Sequence, residues 1–231
     1  MARLPRLVVP HQTHYISQYG HDRQPVFRDG EDYGAYLAWL REASRKFQVA
    51  VHAYVLLPEE VNLLATPVDE EGLGRMMQWV GRYYVPYFNR KYARSGTLWS
   101  GRYKATVIDA ANYFLACCRY MEMRPVLAGA AADPADYPWS SYAHHAGIRA
   151  DQLISDHPLY WALGNTPFER EAGYRRLMEQ GMSTAEIARL QAAVSAGWAL
   201  GSDGFRQELE KKTQRRAGPA RRGRPPRIAK K

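Results

Sequence analysis

The densest apolar patterning in the chain lies between residues 49 and 66. It runs Val49-Ala50-Val51-His52-Ala53-Tyr54-Val55-Leu56-Leu57, a polar turn at Pro58-Glu59, then Glu60-Val61-Asn62-Leu63-Leu64-Ala65-Thr66. Two short runs of β-branched and aliphatic residues joined by a tight turn predict an antiparallel strand pair. Residues two apart on a strand share a face, so Glu60 and Asn62 point one way while Val61 and Leu63 point the other. Two polar side chains together on so apolar a strand mark a candidate site. Upstream, residues 13–18 alternate as a first strand. Residues 31–47 then place Tyr33, Tyr36, Leu37, Leu40 and Phe47 at helical spacing between charges. Downstream, Asp69-Glu70-Glu71 puts acids at the start of a second helix, where the macrodipole favours them. That helix runs through Met76, Met77, Trp79, Val80, Tyr83 and Tyr84, and Pro86 is expected to kink or interrupt it. Residues 97–108 read as extended chain bent at Gly101. A third helix over residues 110–123 is expected, N-capped by Asp109 and stopped before Pro125.

The resulting order, β-α-β-β-α-β-α, is close to the split β-α-β pattern. It predicts an α+β fold with one antiparallel sheet and helices packed on one face. The aromatic segment Tyr137-Pro138-Trp139-Ser140-Ser141-Tyr142 is expected to pack back on the core. A helical region follows over residues 167–216, with Ser183-Thr184-Ala185-Glu186 in capping-box form. Its two helices around Gly181 show no recognition helix and are not read as a DNA-binding helix-turn-helix.

Composition changes this picture at the C-terminus. The chain of 231 residues has room for one main domain and an appendage, and its formal charge is +9. Ten of the 32 basic residues fall within residues 211–231, which hold no acid, leaving 22 against all 23 acids in the rest. The body is therefore near neutral, and the basic character belongs to a tail expected to be disordered and attractive to polyanions. The only cysteines, Cys117 and Cys118, are adjacent, so no disulfide framework exists. With no signal-like apolar segment and no stretch fit to span a bilayer, no membrane role and a cytoplasmic location are expected. His52 on its apolar strand is read as structural, and the pair His144-His145, expected in a loop with no acidic or Cys partner nearby in sequence, is assigned no role.

Several stretches, in order, resemble the REP-associated tyrosine transposases, a branch of the single-tyrosine HUH transposases. They are His14-Tyr15-Ile16, Pro25-Val26-Phe27-Arg28-Asp29, His52 to Pro58, and Gly96 to Lys104. Further on come Arg119-Tyr120-Met121-Glu122 with Pro125-Val126 and Ala128-Gly129, Tyr137-Pro138-Trp139-Ser140-Ser141, and Leu200-Gly201-Ser202. The resemblance spans most of residues 11–205. It implies a ferredoxin-like fold that binds hairpin-forming single-stranded DNA, with Tyr120 at the nucleophile position. Phenol is a weak nucleophile at neutral pH, so such a reaction needs the scissile phosphate held and polarised, in the family by a divalent metal. The family's two histidine ligands fall at Glu60 and Asn62, and its third ligand at Arg124. An amide oxygen is a weak ligand and a guanidinium cannot ligate, so this set predicts loss of the metal and of cleavage. Glu60 and Arg124 are instead expected to form a salt bridge across the lost ion's place. The enzyme alternative is a rearranged Mg²⁺ or Mn²⁺ site using Glu59, Glu60 or another acid.

For DNA contact, aromatic residues interleaved with Arg82, Arg90, Lys91 and Arg94, followed by Trp99, Arg102 and Lys104, suit single-stranded nucleic acid. About half of those rings must face the core. Arg221-Arg222-Gly223-Arg224-Pro225-Pro226-Arg227 resembles an AT-hook, a segment suited to the minor groove of A·T-rich duplex. The expected organisation is a transposase-like domain over residues 11–145, a linker over 146–166, a helical extension over 167–210 and a basic tail over 211–231. A structured-RNA-binding role is the further alternative.

Overall fold

The structure, a computed structural model, describes residues 6–219. Its sheet is made from β1 (His14–Tyr19), β2 (Val49–Leu57), β3 (Glu60–Pro67) and β4 (Lys104–Val107). The strand order is β2-β3-β1-β4, and every pairing is antiparallel. Two helices, α1 (Gly30–Lys46) and α2 (Gly72–Lys91), supply the crossovers. This is the split β-α-β arrangement, and the α+β class and single antiparallel sheet stand as expected.

Period-2 alternation decides which helix each strand residue meets. Ile16, Tyr54, Leu56, Val61, Leu63 and Ala65 pack with Tyr36 and Leu40 of α1 and Met76, Val80, Tyr84 and Phe88 of α2. A bulge in β2 between Val51 and Ala53 inserts His52 and switches the parity there, so Val51 joins this first core and Ala53 the second. Asp29 caps α1, its side chain accepting from the Asp32 N–H at 3.1 Å. Helix α2 runs unbroken from Gly72 to Lys91 with Pro86 inside it, so the expected interruption does not occur. Packing of Tyr84 and Phe88 on either side of the proline holds the turn that the missing N–H weakens.

The expectation of helices on one face holds for α1 and α2 but not for the next helix. α3 (Ala110–Glu122) lies on the opposite face, where Phe114, Cys117, Cys118, Tyr120 and Met121 meet Tyr15, Ala53, Val55, Leu57 and Leu64. Asp109 does precede α3, but its carboxylate bonds the Asn112 side chain at 2.8 Å rather than capping a backbone N–H. Behind α3 come α4 (Arg124–Leu127), α5 (Tyr142–His145), α6 (Pro158–Trp161), α7 (Pro167–Glu179), α8 (Thr184–Ala196) and α9 (Asp203–Thr213). Tyr160, Tyr174, Met178, Leu190 and Val194 from these helices complete the second core. Glu122, wholly buried, ties α3 to α5 and α7. It accepts from Ser141 and from the Tyr174 hydroxyl at 2.5 Å each, and lies 2.8 Å from His145 Nδ1. Both capping boxes, Thr166 with Glu169 and Ser183 with Glu186, are formed.

The sheet's β2 edge is covered by the aromatic segment. Leu56 N donates to Trp139 O at 2.9 Å, the Tyr137 hydroxyl donates to Leu56 O at 2.6 Å, and Trp139 stacks on Tyr33. Residues 146–166, expected as a linker, continue this cover. Ser155 N donates to Val51 O, and Leu153 is buried in the first core. The first residues of the expected tail belong to the packed body: Lys211 and Lys212 are helical, and Ala217 is buried with Val9, Val107, Ala199 and Leu209. The AT-hook-like residues Arg221, Arg222, Arg224 and Arg227 lie outside the described residues.

Candidate nucleic-acid site

Antiparallel register brings the predicted site residues together. Asn62 stands opposite Ser17 and Val55, and Glu60 stands opposite Tyr19 and Leu57, so all six share the face beneath α3. The Glu60 side chain is 1 % exposed, and its Oε1 is ion-paired to the Arg124 guanidinium and bonded by the Asn62 amide. Asn62 Oδ1 accepts from the Tyr15 hydroxyl at 3.0 Å. The other carboxylate oxygen, Oε2, is 3.7 Å from Arg23, whose side chain is 66 % exposed and lies over the Tyr19 ring. Arg124 sits just past the end of α3, with 21 % of its side chain exposed and its guanidinium carbon 5.8 Å from the Tyr120 ring centre. Desolvation works against its charge, but Glu60 and the phenols of Tyr15, Tyr120 and Tyr19 outweigh it and hold its pKa above the ordinary value. Burial pushes Tyr15 well above its ordinary pKa, and Tyr19 is raised by the same cause. Tyr120 is 5 % exposed, its ring 6.4 Å from that of Tyr15.

The donor set does not fit a divalent cation. One carboxylate is present, and its inner oxygen is engaged by a guanidinium and an amide. The amide oxygen is engaged by a phenol, and the third position carries a donor-only cation. Among the described residues no three His, Cys, Asp or Glu side chains cluster as metal ligands. Tyr15, Tyr19 and Arg23 complete the site and were not singled out from sequence. Their only signals were the alternation of the first strand, which puts Tyr15 and Tyr19 on one parity, and a left-handed backbone at Arg23 that no pattern foretells.

The proposed DNA contacts separate. Arg82, Arg90, Arg102 and Lys104 are exposed. Lys91 is instead held by Asp29, Glu31 and Asp32 at 2.7, 3.0 and 3.1 Å, and Arg94 rests against Phe88. Tyr84, Phe88 and Trp99 are buried in the first core, which removes them as base-stacking platforms. An aromatic segment interleaved with basic residues fits either role, and only the helix rotation chooses between them. His52 is structural: its Nδ1 faces Ser155 O at 2.6 Å and its Nε2 faces Thr66 Oγ1 at 2.9 Å.

Sheet order and a helix carrying a buried tyrosine across the second face together define a split β-α-β type of α+β fold. A solved REP-associated tyrosine transposase, bound to a REP hairpin, matches with a TM-score of 0.52 and 16 % identity, covering 68 % of this chain and 92 % of that one. This chain has the fold of that protein. A Deinococcus radiodurans R1 structure provisionally named a transposase matches at 19 % identity with a TM-score of 0.36, over 50 % of this chain and 94 % of that one. No protein-family model and no curated protein matches the sequence.

Proposed function

We propose that this chain is a DNA-binding protein of the REP-associated tyrosine transposase type that recognises hairpin-forming single-stranded DNA and no longer performs metal-dependent cleavage. The Glu60–Arg124 ion pair carries this reading. In-line attack by a phenol on a phosphodiester needs the phosphate's charge stabilised and the hydroxyl free to approach. Here the cation that could supply that stabilisation is neutralised by a buried carboxylate, and Tyr120 is enclosed. Tyr120 is then an inherited nucleophile position that now packs against Tyr15. DNA as the partner is supported by the hairpin held in the solved transposase of the same fold.

The test is cleavage of labelled hairpin DNA in Mg²⁺ or Mn²⁺ by the native protein, by Tyr120→Phe, and by the triple variant Glu60→His, Asn62→His, Arg124→Asn. Binding without cleavage is expected for the native chain, with cleavage and a covalent adduct only in the triple variant. A Tyr120-dependent adduct formed by the native protein would overturn the loss of activity. Absence of hairpin binding would overturn the DNA-binding reading.

A further inference from the structure

Residues 146–166 lie along the β2 edge without joining the sheet as a strand. Among the described residues one backbone bond ties them to β2, from the Ser155 N–H to Val51 O at 2.8 Å. Much of the remaining hold falls on imidazoles. Four of the chain's seven histidines stand here: His144 and His145 where the segment leaves α5, His157 within it, and His52 beneath it in the β2 bulge. Their partners fix which ring nitrogen carries the proton. A backbone N–H can only donate, and the Leu159 N–H donates to His157 Nδ1 at 3.1 Å, capping α6. The Asp151 N–H likewise donates to His144 Nδ1 at 3.1 Å. A carbonyl can only accept, so His52 Nδ1, 2.6 Å from Ser155 O, carries the proton. The neutral His52 ring then has Nε2 left to accept from the Thr66 hydroxyl at 2.9 Å. The rings of His52 and His157 meet edge to face at 5.0 Å, and His157 stacks on Phe114 of α3 at 4.0 Å.

Acid acts on this arrangement with a definite sign. A proton on His157 Nδ1 turns an acceptor into a donor facing the Leu159 N–H, and the α6 cap is lost. A proton on His52 places a charge in a buried ring beside the same neighbour. Burial lowers both pKa values, that of His52 to about 4, where the Ser155 carbonyl opposes the shift and His157 and His145 add to it. Asp156 favours the charged form of His52 but is engaged by His144 Nε2 at 3.1 Å. Glu122 of α3 is taken up by Ser141, His145 and Tyr174, Asp151 accepts from Tyr54, and the Tyr160 ring lies against His145. His11 and Arg45 stand across the cleft that Thr66 and Ser155 line. None of these acids forms an ion pair with His52 or His157. When the segment lifts, both rings reach water and return to the ordinary imidazole value near 6.5. Opening therefore takes up protons, and falling pH favours it.

We propose that residues 146–166 are an acid-released strap on the β2 edge, latched by the neutral imidazoles of His52 and His157. Its release uncovers Val51 O on β2 and Phe114 on α3, the helix that carries Tyr120. The test is amide hydrogen exchange on the full chain at pH 7 and pH 5, each rate divided by the intrinsic rate at that pH. The amides read are Ser155 and Leu159, with those of β1 for comparison. The strap's opening constant is expected to rise about twentyfold between the two pH values through His52 alone, with both strap amides exchanging well ahead of β1. His157→Asn keeps a cap for α6 that does not titrate, and His52→Gln replaces the buried ring by an amide that does not titrate either. The double variant is expected to stay closed at pH 5. Strap amides that exchange only together with β1, or a double variant that opens as the native chain does, would overturn the strap. His157→Asn alone changes a half-buried ring and gives a second reading if the double variant does not fold. It should remove part of the rise, and an undiminished rise would overturn the latch.

Discussion

At the scale of single residues, the Glu60–Arg124 pair is the contact on which stability most plainly turns. Glu60 is enclosed, and its Oε2 has only the distant Arg23 nearby, so truncating Arg124 leaves a buried carboxylate without its main counter-charge. Breaking one side of such a pair typically costs about 3 kcal/mol, whereas replacing both partners by apolar groups of similar size is close to neutral. Arg124→Ala is therefore expected to lower the unfolding free energy by about that amount in urea titration, and a Glu60→Met, Arg124→Met double variant to recover most of it. An unchanged melting temperature for Arg124→Ala would show that the pair contributes nothing.

At the scale of elements, the β2 bulge makes a pH-dependent join. His52 is the inserted residue, and it links β2 to Ser155 on one side and to Thr66 of β3 on the other. Burial lowers its pKa to about 4 from 6.5, with the Ser155 carbonyl only partly opposing the shift. The folded state thus keeps the imidazole neutral while the unfolded state takes up a proton as pH falls below 6.5. Between pH 6.5 and 4 the unfolded state binds more protons, so stability falls as pH drops and is fully present above the unfolded value. The linked loss approaches about 3 kcal/mol by pH 4. His14, buried and also lowered to about 4, adds to the same slope. Urea titrations at pH 7 and pH 5 should show a steeper loss for the native chain than for His52→Gln. Equal slopes would remove His52 as the cause.

For the whole molecule, the packing of residues 214–219 sets what truncation does. Residues 220–231 contribute six of the ten C-terminal basic residues. Residues 214–219 belong to the body, through Arg215 on Arg6 and Ala217 in the third apolar cluster. Deleting residues 220–231 should flatten the salt dependence of DNA binding. Deleting from residue 214 should lower the melting temperature as well. A salt slope unaffected by the shorter deletion would rule out a phosphate-binding role for those residues.

The sequence by itself determined the element order, the strand pair carrying Glu60 and Asn62, the helix carrying Tyr120, and the pairing of Glu60 with Arg124. These follow from local periodicity and from opposite charges at positions that the family resemblance brings together. Which face α3 takes was left to the tertiary structure, because amphipathicity shows that a helix buries one side and not which side of a sheet receives it. The fates of Lys91 and Trp99 were likewise decided by long-range packing, since a charged or aromatic residue on a half-buried element suits either a ligand or the core. The histidine latch was invisible for the same reason. His52 and Ser155 are 103 residues apart in the chain, and only the folding of residues 146–166 back over the β2 bulge puts His52 and His157 side by side.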